Sequence, residues 1–163
     1  MNIKLKNKFI YIHEYRIKCA IGKRGITDKK VEGDNKTPAG VFRFDSLFYR
    51  KDRLKKIKSK LPKKIIKKNM GWCDDTRSKY YNKLIRFPFI LSAEKLWLNE
   101  NIYDILLVIN YNTKPVIKKK GSAIFLHIAK KNYKPTRGCI AISKKDMKQL
   151  IDIINNKTKL KIY

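Results

Sequence analysis

Short runs in which every second residue is apolar are the feature that most constrains the fold of this chain. A period of two is typical of strands that are half-buried in a sheet. The runs are rich in Ile, Val, Phe and Tyr, and glycine and proline residues separate them. We therefore predict a mainly β domain with strands at Lys8–Glu14, Tyr15–Ile21, Val41–Phe48, Asp104–Tyr111, Ala123–Ile128, Cys139–Ser143 and Leu160–Tyr163.

One segment near the C-terminus departs from this pattern and predicts a helix. Ser143 and Asp146 have the spacing of a capping box at a helix N-terminus. The apolar residues that follow recur at helical spacing and form one stripe: Met147, Leu150, Ile151 and Ile154. A second, shorter helix is predicted near Ala93–Leu98.

The length and composition favour one folded domain over residues 1–163. The chain is 43% hydrophobic and 11% aromatic, which is too apolar for a disordered polycation. No internal repeat or Ser/Gly-rich linker divides it. The three cysteines, Cys19, Cys73 and Cys139, cannot all pair with one another, so we expect no disulfide scaffold. No apolar run approaches the eighteen or so residues that a membrane span needs, so an integral membrane protein is not expected.

The strong positive charge points to anionic partners without identifying one. Lys and Arg number 41 against 13 Asp and Glu, which gives a formal net charge of +28. Such a charge attracts nucleic acid, anionic lipid or acidic cell-wall polymers non-specifically. The densest stretch, Lys51–Lys68, holds ten basic residues and one acid, and this pattern is more typical of a solvated face than of a dedicated binding site.

A histidine and a cysteine provide the candidate chemistry. His127 ends a predicted strand, and Cys139 follows it by twelve positions. An imidazole within reach of a thiol can take its proton and later return it. Gly138 allows a sharp backbone turn, in which amide N–H groups can face a developing oxyanion. Arg137 adds positive charge, which lowers the pKa of a nearby thiol. On spacing alone, a core cysteine and a structural histidine remain the more common interpretation.

Three blocks of sequence occur in the order of the motifs of one known enzyme family. Residues 30–42 read KVEGDNKTPAGVF, and residues 71–75 read GWCDD, followed by YYN at 80–82. The third block joins GSAIFLH at 121–127 to TRGC at 136–139. On these blocks the chain resembles the L,D-transpeptidase catalytic domain (YkuD-type) family of peptidoglycan enzymes, over about residues 15 to 143.

The third block departs from the commoner form of the family motif, Ser-His-Gly-Cys followed by a residue and then Arg or Asn. Thr136 stands for the Ser, Arg137 for the His and Ala141 for the trailing Arg or Asn. The chain therefore resembles a divergent branch that uses an arginine before the Gly-Cys pair. The reaction type carries over better than the substrate.

The resemblance implies a fold and a set of catalytic roles. It implies a single-domain β-sandwich with one or two helices, in which Cys139 is the nucleophile and His127 the general base. The Gly138 and Cys139 amides would bind the oxyanion, and Thr136 and Arg137 would contact the substrate. Arg137 would either assist the oxyanion donors or bind a stem carboxylate. The chemistry it implies needs no metal and no organic cofactor.

Further substrate contacts are expected in the second block. The adjacent carboxylates Asp74 and Asp75 are unusual in so basic a chain, and with Trp72 and Tyr81 they would bind the ammonium group of the acceptor. Pairing of the carboxylates with nearby lysines is the alternative. No His or Cys cluster with ligand spacing surrounds them, so a metal site is not expected.

Three functions remain open at this point. The first is a transpeptidase that cross-links peptidoglycan stem peptides, and the second is an L,D-carboxypeptidase or amidase-like hydrolase with the same Cys139 and His127 site. The third, a basic nucleic-acid-binding module, rests on charge alone. The first two imply the periplasm or cell envelope, although no signal peptide is visible in this chain.

Overall fold

Fourteen β-strands and one α-helix make up the computed structural model, which describes all residues 1–163. Single 3-10 turns lie at Asn101–Tyr103 and Lys131–Tyr133. The bounds are β1 (Asn2–Lys6), β2 (Phe9–Ile12), β3 (Tyr15–Ala20), β4 (Ile26–Thr27), β5 (Thr37–Pro38), β6 (Gly40–Tyr49), β7 (Lys63–Ile65), β8 (Met70–Cys73), β9 (Leu84–Arg86), β10 (Ala93–Lys95), β11 (Ile105–Ile109), β12 (Phe125–Ile128), β13 (Ile140–Ile142), α1 (Lys144–Ile153) and β14 (Lys159–Ile162).

The main sheet has nine strands and closes on itself through its longest strand. Its order is β11-β12-β13-β3-β2-β1-β14-β6-β7, and β6 also pairs with β11. The first residues of β6, 40–43, pair with β14, and residues 44–49 pair with β11. The predicted mainly β class is confirmed, but the expected two-sheet sandwich is not confirmed, because this double pairing makes the sheet barrel-like.

The interior of the closed sheet holds the larger core. Twenty-three buried residues form it, and alternating side chains of β1, such as Ile3 and Leu5, are completely buried there. Helix α1 adds its apolar stripe, Met147, Leu150 and Ile151, to the same core. The predicted capping box begins this helix, because Ser143 Oγ accepts the Asp146 N–H at 3.0 Å.

A small sheet covers the outer face of β11 and β12 and creates a second core. Its order is β10-β8-β9. Ten buried residues fill this core, and Trp72 packs edge-to-face on Phe125 with ring centroids 5.2 Å apart. The helix predicted near Ala93–Leu98 is wrong. Ala93–Lys95 is strand β10 and pairs with Gly71–Cys73 of β8. An isolated helical turn of this length is unfavourable, because nucleation orders several residues for a single hydrogen bond, whereas the strand gains hydrogen bonds from its neighbour.

Two further expectations concern membranes and disulfides. The structure contains no helix with the length and apolar character that a transmembrane span requires. Cys19, Cys73 and Cys139 are all free thiols.

Candidate active site

Cys139 lies immediately before β13, with its thiol over the start of β12. The Sγ atom accepts the Phe125 N–H at 3.4 Å and donates to the Ala123 carbonyl oxygen at 3.1 Å. Strand β13 runs parallel to β12, with Ile140 in register with Leu126. The parallel pairing therefore brings the cysteine to the strand that carries His127.

The turn that precedes the thiol is held by the threonine and the glycine of the third block. Thr136 Oγ1 donates to the Cys139 carbonyl oxygen at 2.5 Å and accepts the Gly138 N–H at 3.1 Å. Gly138 has a φ of +141°, and a Cβ at this position would approach the Lys36 carbonyl oxygen to 2.9 Å. Both the dihedral angle and the close approach require glycine.

The first block packs beneath this turn. Thr37 is fully buried, donates from Oγ1 to the Gly138 carbonyl oxygen at 2.9 Å, and accepts the Gly22 N–H at 2.9 Å. Beside it, the buried Lys30 ammonium pairs with Asp34 at 2.6 Å. Residues 30–38 thus support the cysteine turn from below, and they place the Lys30 charge near it.

His127 is buried on β12, two positions beyond the residue whose amide contacts the thiol. Its Nδ1 lies 2.9 Å from the Ile128 carbonyl oxygen. A carbonyl oxygen only accepts hydrogen bonds, so Nδ1 carries the proton and Nε2 of the neutral ring is the available base. The ring of Tyr103 packs edge-on against this imidazole, with centroids 5.3 Å apart.

Burial keeps both groups neutral at rest. It raises the pKa of Cys139 to about 12, and the charge of Glu94 acts in the same direction. The Phe125 amide and the charges of Lys30 and Arg137 lower the thiol pKa by less than burial raises it. Burial also lowers the pKa of His127 to about 4. Between these values the resting groups are a thiol and a neutral imidazole, so the thiolate is a minor species near neutral pH.

Arg137, which precedes Gly138 in the third block, is exposed. It forms no ion pair within the chain. Its positive charge nevertheless lowers the pKa of both Cys139 and Glu94, which places it beside them. Arg137 is therefore a free cation at the site, and a guanidinium of this kind can bind a carboxylate.

Trp72 and Tyr81 are turned into the protein. The Trp72 indole N–H donates to Asn82 Oδ1 at 2.9 Å, and the ring belongs to the second core. The Tyr81 hydroxyl donates to Glu32 at 2.5 Å and accepts the Gly121 N–H at 2.9 Å. These polar atoms have internal partners, which favours a supporting role for both side chains.

The two adjacent aspartates differ in their partners. Asp75 is buried and binds Arg77, with Oδ2 2.7 Å from the guanidinium, so the pKa of Asp75 lies well below its usual range. The alternative of ion pairing thus describes Asp75, although its partner is an arginine. Asp74 forms no ion pair, and its buried Oδ1 has no hydrogen-bond partner. Its charge acts on Glu94, which places the two carboxylates near each other.

The structure brings Cys139, Gly138, Thr136 and Arg137 together, and Asp74 lies nearby. His127 lies on the neighbouring strand, two positions beyond Phe125, whose amide contacts the thiol. Sequence reasoning missed two residues at this site, Glu94 and Tyr103. The Tyr103 hydroxyl donates to a Glu94 carboxylate oxygen. Glu94 lies in the segment that was wrongly predicted to be a second helix. The only signal in the sequence was that this carboxylate has no capping or ion-pairing partner at helical spacing. No group of three His, Cys, Asp or Glu side chains is arranged to hold a metal ion.

A comparison with models of known protein families shows to which family the chain belongs. The model of the L,D-transpeptidase catalytic domain matches residues 3–162, nearly the whole chain. The chain belongs to the L,D-transpeptidase catalytic-domain family. No curated protein matches it. The L,D-transpeptidase family consists of enzymes that act on peptidoglycan, so membership supports a peptidoglycan-related catalytic function and is consistent with the cell envelope.

Proposed function

We propose that this L,D-transpeptidase-family domain cross-links peptidoglycan stem peptides by acyl transfer through a thioester on Cys139. One observation carries the proposal. The Cys139 thiol is hydrogen-bonded at the start of β12, and His127 on the same strand has Nδ1 committed to the Ile128 carbonyl oxygen, which leaves Nε2 as the base.

The first half-reaction forms the thioester. His127 Nε2 takes the Cys139 proton while Sγ attacks a carbonyl carbon of the donor stem. The tetrahedral intermediate then collapses, the C–N bond to the following residue breaks, and the imidazolium gives its proton to the leaving amine. Because burial disfavours both the thiolate and the imidazolium, proton transfer and attack proceed together.

The second half-reaction forms the cross-link. An amine of a second stem loses its proton to His127 and attacks the thioester, after which the Cys139 sulfur leaves and recovers the proton. Water in place of the amine would give the hydrolase that is the alternative function. Exclusion of water from the thioester therefore decides between the two products.

The oxyanion requires amide donors from the Gly138–Cys139 turn. The Gly138 N–H donates to Thr136 Oγ1 in this structure, so its use as a donor requires that hydrogen bond to weaken as negative charge develops. We assign the Cys139 amide as the principal donor, and Thr136 as the residue that sets the geometry of the turn.

Substrate contacts are proposed for the charged groups without internal partners. Arg137 binds a stem carboxylate, and Asp74 contacts the acceptor ammonium. Trp72, Asp75 and Tyr81 act indirectly, because their polar atoms already bind Asn82, Arg77 and Glu32. The net charge of +28 favours adhesion to anionic wall polymers, and a nucleic-acid-binding module still rests on charge alone.

The test is a mass-spectrometric product analysis with disaccharide-tetrapeptide fragments of peptidoglycan. The wild-type protein is compared with Cys139→Ala, and Cys19→Ala serves as the matched control because Cys19 is a buried free thiol in the other core. Cross-linked dimers from the wild type and the control, and none from Cys139→Ala, are expected. Tripeptides without dimers would assign the hydrolase, and dimers from Cys139→Ala would overturn the proposal.

A further inference from the structure

Tyr103 joins the candidate base to a carboxylate on a different layer of the fold. It ends the 3-10 turn Asn101–Tyr103 and is 4% exposed. Its ring packs edge-on against both aromatic rings on the outer face of β12, 5.3 Å from His127 and 6.2 Å from Phe125 between centroids. The Tyr103 ring therefore restricts rotation of the imidazole.

Glu94 holds the other end of Tyr103. It lies in β10, in register with Trp72 of β8, so its backbone is fixed by the small sheet. The Glu94 carboxylate accepts the Tyr103 hydroxyl hydrogen. Glu94 forms no ion pair, although the chain carries 41 Lys and Arg residues. Tyr103 is thus the hydrogen-bond partner of the Glu94 carboxylate within the chain.

We propose that Tyr103, held by Glu94, is a positioning residue that keeps the His127 imidazole oriented for proton exchange with Cys139. The inference rests on the proposed function, since it assumes that His127 and Cys139 exchange a proton. The small sheet then does more than cover hydrophobic surface. Through the hydrogen bond between Glu94 and Tyr103, it holds the tyrosine ring that packs against the His127 imidazole.

The same pair affects the thiol electrostatically. Cys139 is half-buried, and its thiol interacts with charged or titratable groups on several sides: Glu94 of β10, Tyr103 of the 3-10 turn, and Lys30 and Arg137 of the flanking turns. The Glu94 charge raises the pKa of the thiol, whereas Lys30 and Arg137 lower it. Loss of the Glu94 charge should therefore increase the thiolate fraction, even though it loosens His127.

These two effects have opposite signs and make the proposal testable. Glu94→Gln keeps the size of the side chain and removes its charge. A shift of one pKa unit changes the thiolate fraction about tenfold, so we expect iodoacetamide to label Cys139 several-fold faster in Glu94→Gln near pH 8. In the same variant, the introduced amide oxygen can still accept the Tyr103 hydroxyl hydrogen, but the hydrogen bond is no longer charge-assisted. We therefore expect kcat for tetrapeptide conversion to fall several-fold, since the base is held less firmly. KM should change little.

Two companion variants complete the experiment. Glu14→Gln, which changes the net charge equally at an exposed carboxylate without an ion pair, should leave labelling and turnover at the wild-type level. Tyr103→Phe keeps the ring contacts but loses the hydrogen bond to Glu94, so it should lower kcat with KM little changed. Tyr103→Leu, which also removes the ring, should lower kcat further.

The outcomes separate the proposal from a merely structural role. Faster labelling together with slower turnover in Glu94→Gln supports it. Labelling and turnover that fall together, or neither changing, would overturn it. Labelling does not require turnover, so a wild-type protein that converts no tetrapeptide would refute the proposed function, while the pH profile of labelling would still report on Glu94.

Discussion

Thr37 and Gly138 are separated by 101 positions in the chain, yet the Thr37 hydroxyl donates a 2.9 Å hydrogen bond to the Gly138 carbonyl oxygen. The same hydroxyl accepts the Gly22 N–H at 2.9 Å. This one buried side chain of the first motif block therefore connects the turn before Cys139 to Gly22, just after β3. Distant parts of the sequence are joined where the proposed nucleophile lies.

Thr37→Val should destabilise the protein and disturb the cysteine turn. Valine has the same shape but leaves the buried Gly22 N–H without an acceptor, which costs about 1–3 kcal/mol of the free energy of unfolding. Urea unfolding measures this loss, and turnover of tetrapeptide substrate should fall as well. Thr37→Ser keeps the hydroxyl and should retain most of both quantities. Equal losses in the two variants would contradict the account.

Asn82 is expected to be the most sensitive residue of the second block. Its Oδ1 accepts the Trp72 indole N–H at 2.9 Å and the Ala123 N–H at 3.0 Å. Asn82→Ala leaves both buried donors unsatisfied, so we expect a loss of about 3 kcal/mol in unfolding free energy. Trp72→Phe, which removes one of the donors and keeps an aromatic ring, should cost less. A smaller loss in Asn82→Ala than in Trp72→Phe would contradict the proposed hydrogen bonding.

The labelling of Cys139 should depend steeply on pH. A thiol whose pKa is raised to about 12 gains thiolate about tenfold per pH unit below that value, because only the thiolate reacts with iodoacetamide. Peptide mapping after labelling at a series of pH values from about 6 to 10 measures the rate. A labelling rate that reaches a plateau above the ordinary cysteine pKa would show a normal thiol. A fast labelling rate that does not change around neutral pH would show a preformed thiolate.

The Asp75–Arg77 pair should contribute to acid sensitivity. Arg77 holds the pKa of Asp75 below its unfolded value, so the stabilisation is complete above about pH 4 and is lost as the pH falls through the folded-state pKa. The difference in unfolding free energy between the wild type and Asp75→Asn should therefore shrink as the pH falls from 7 to about 2. Asp28→Asn, at an exposed position, serves as the charge control. A difference that is constant with pH would contradict the pairing.

Local patterns were sufficient to predict much of this fold. Residues such as Ile10 and Ile12 alternate with exposed neighbours, and they are buried as a period of two requires. The helix after Ser143 begins at its predicted cap. Alternation does not specify which strands pair at a distance, however, so the double pairing of β6 and the closure of the sheet were not predictable.

Short elements and distant contacts explain the misses. Strands β9 and β10 have three residues each, too few to distinguish a period of two from a helical turn. The motif blocks led to Cys139, His127 and the glycine turn. Glu94 and Tyr103 belong to no motif, and only the packing of the small sheet on β12 brings them to the site. Whether Trp72 faces inward depends on Asn82, which sequence spacing does not reveal.

The most direct test of the central claim is intact-mass spectrometry of the protein during incubation with a disaccharide-tetrapeptide, followed by peptide mapping. The account predicts a transient adduct that has the mass of the donor without its terminal residue, located on Cys139 and absent from Cys139→Ala. His127→Ala should form this adduct far more slowly while remaining folded. Product formation with no adduct on Cys139, or an adduct on another residue, would contradict the account.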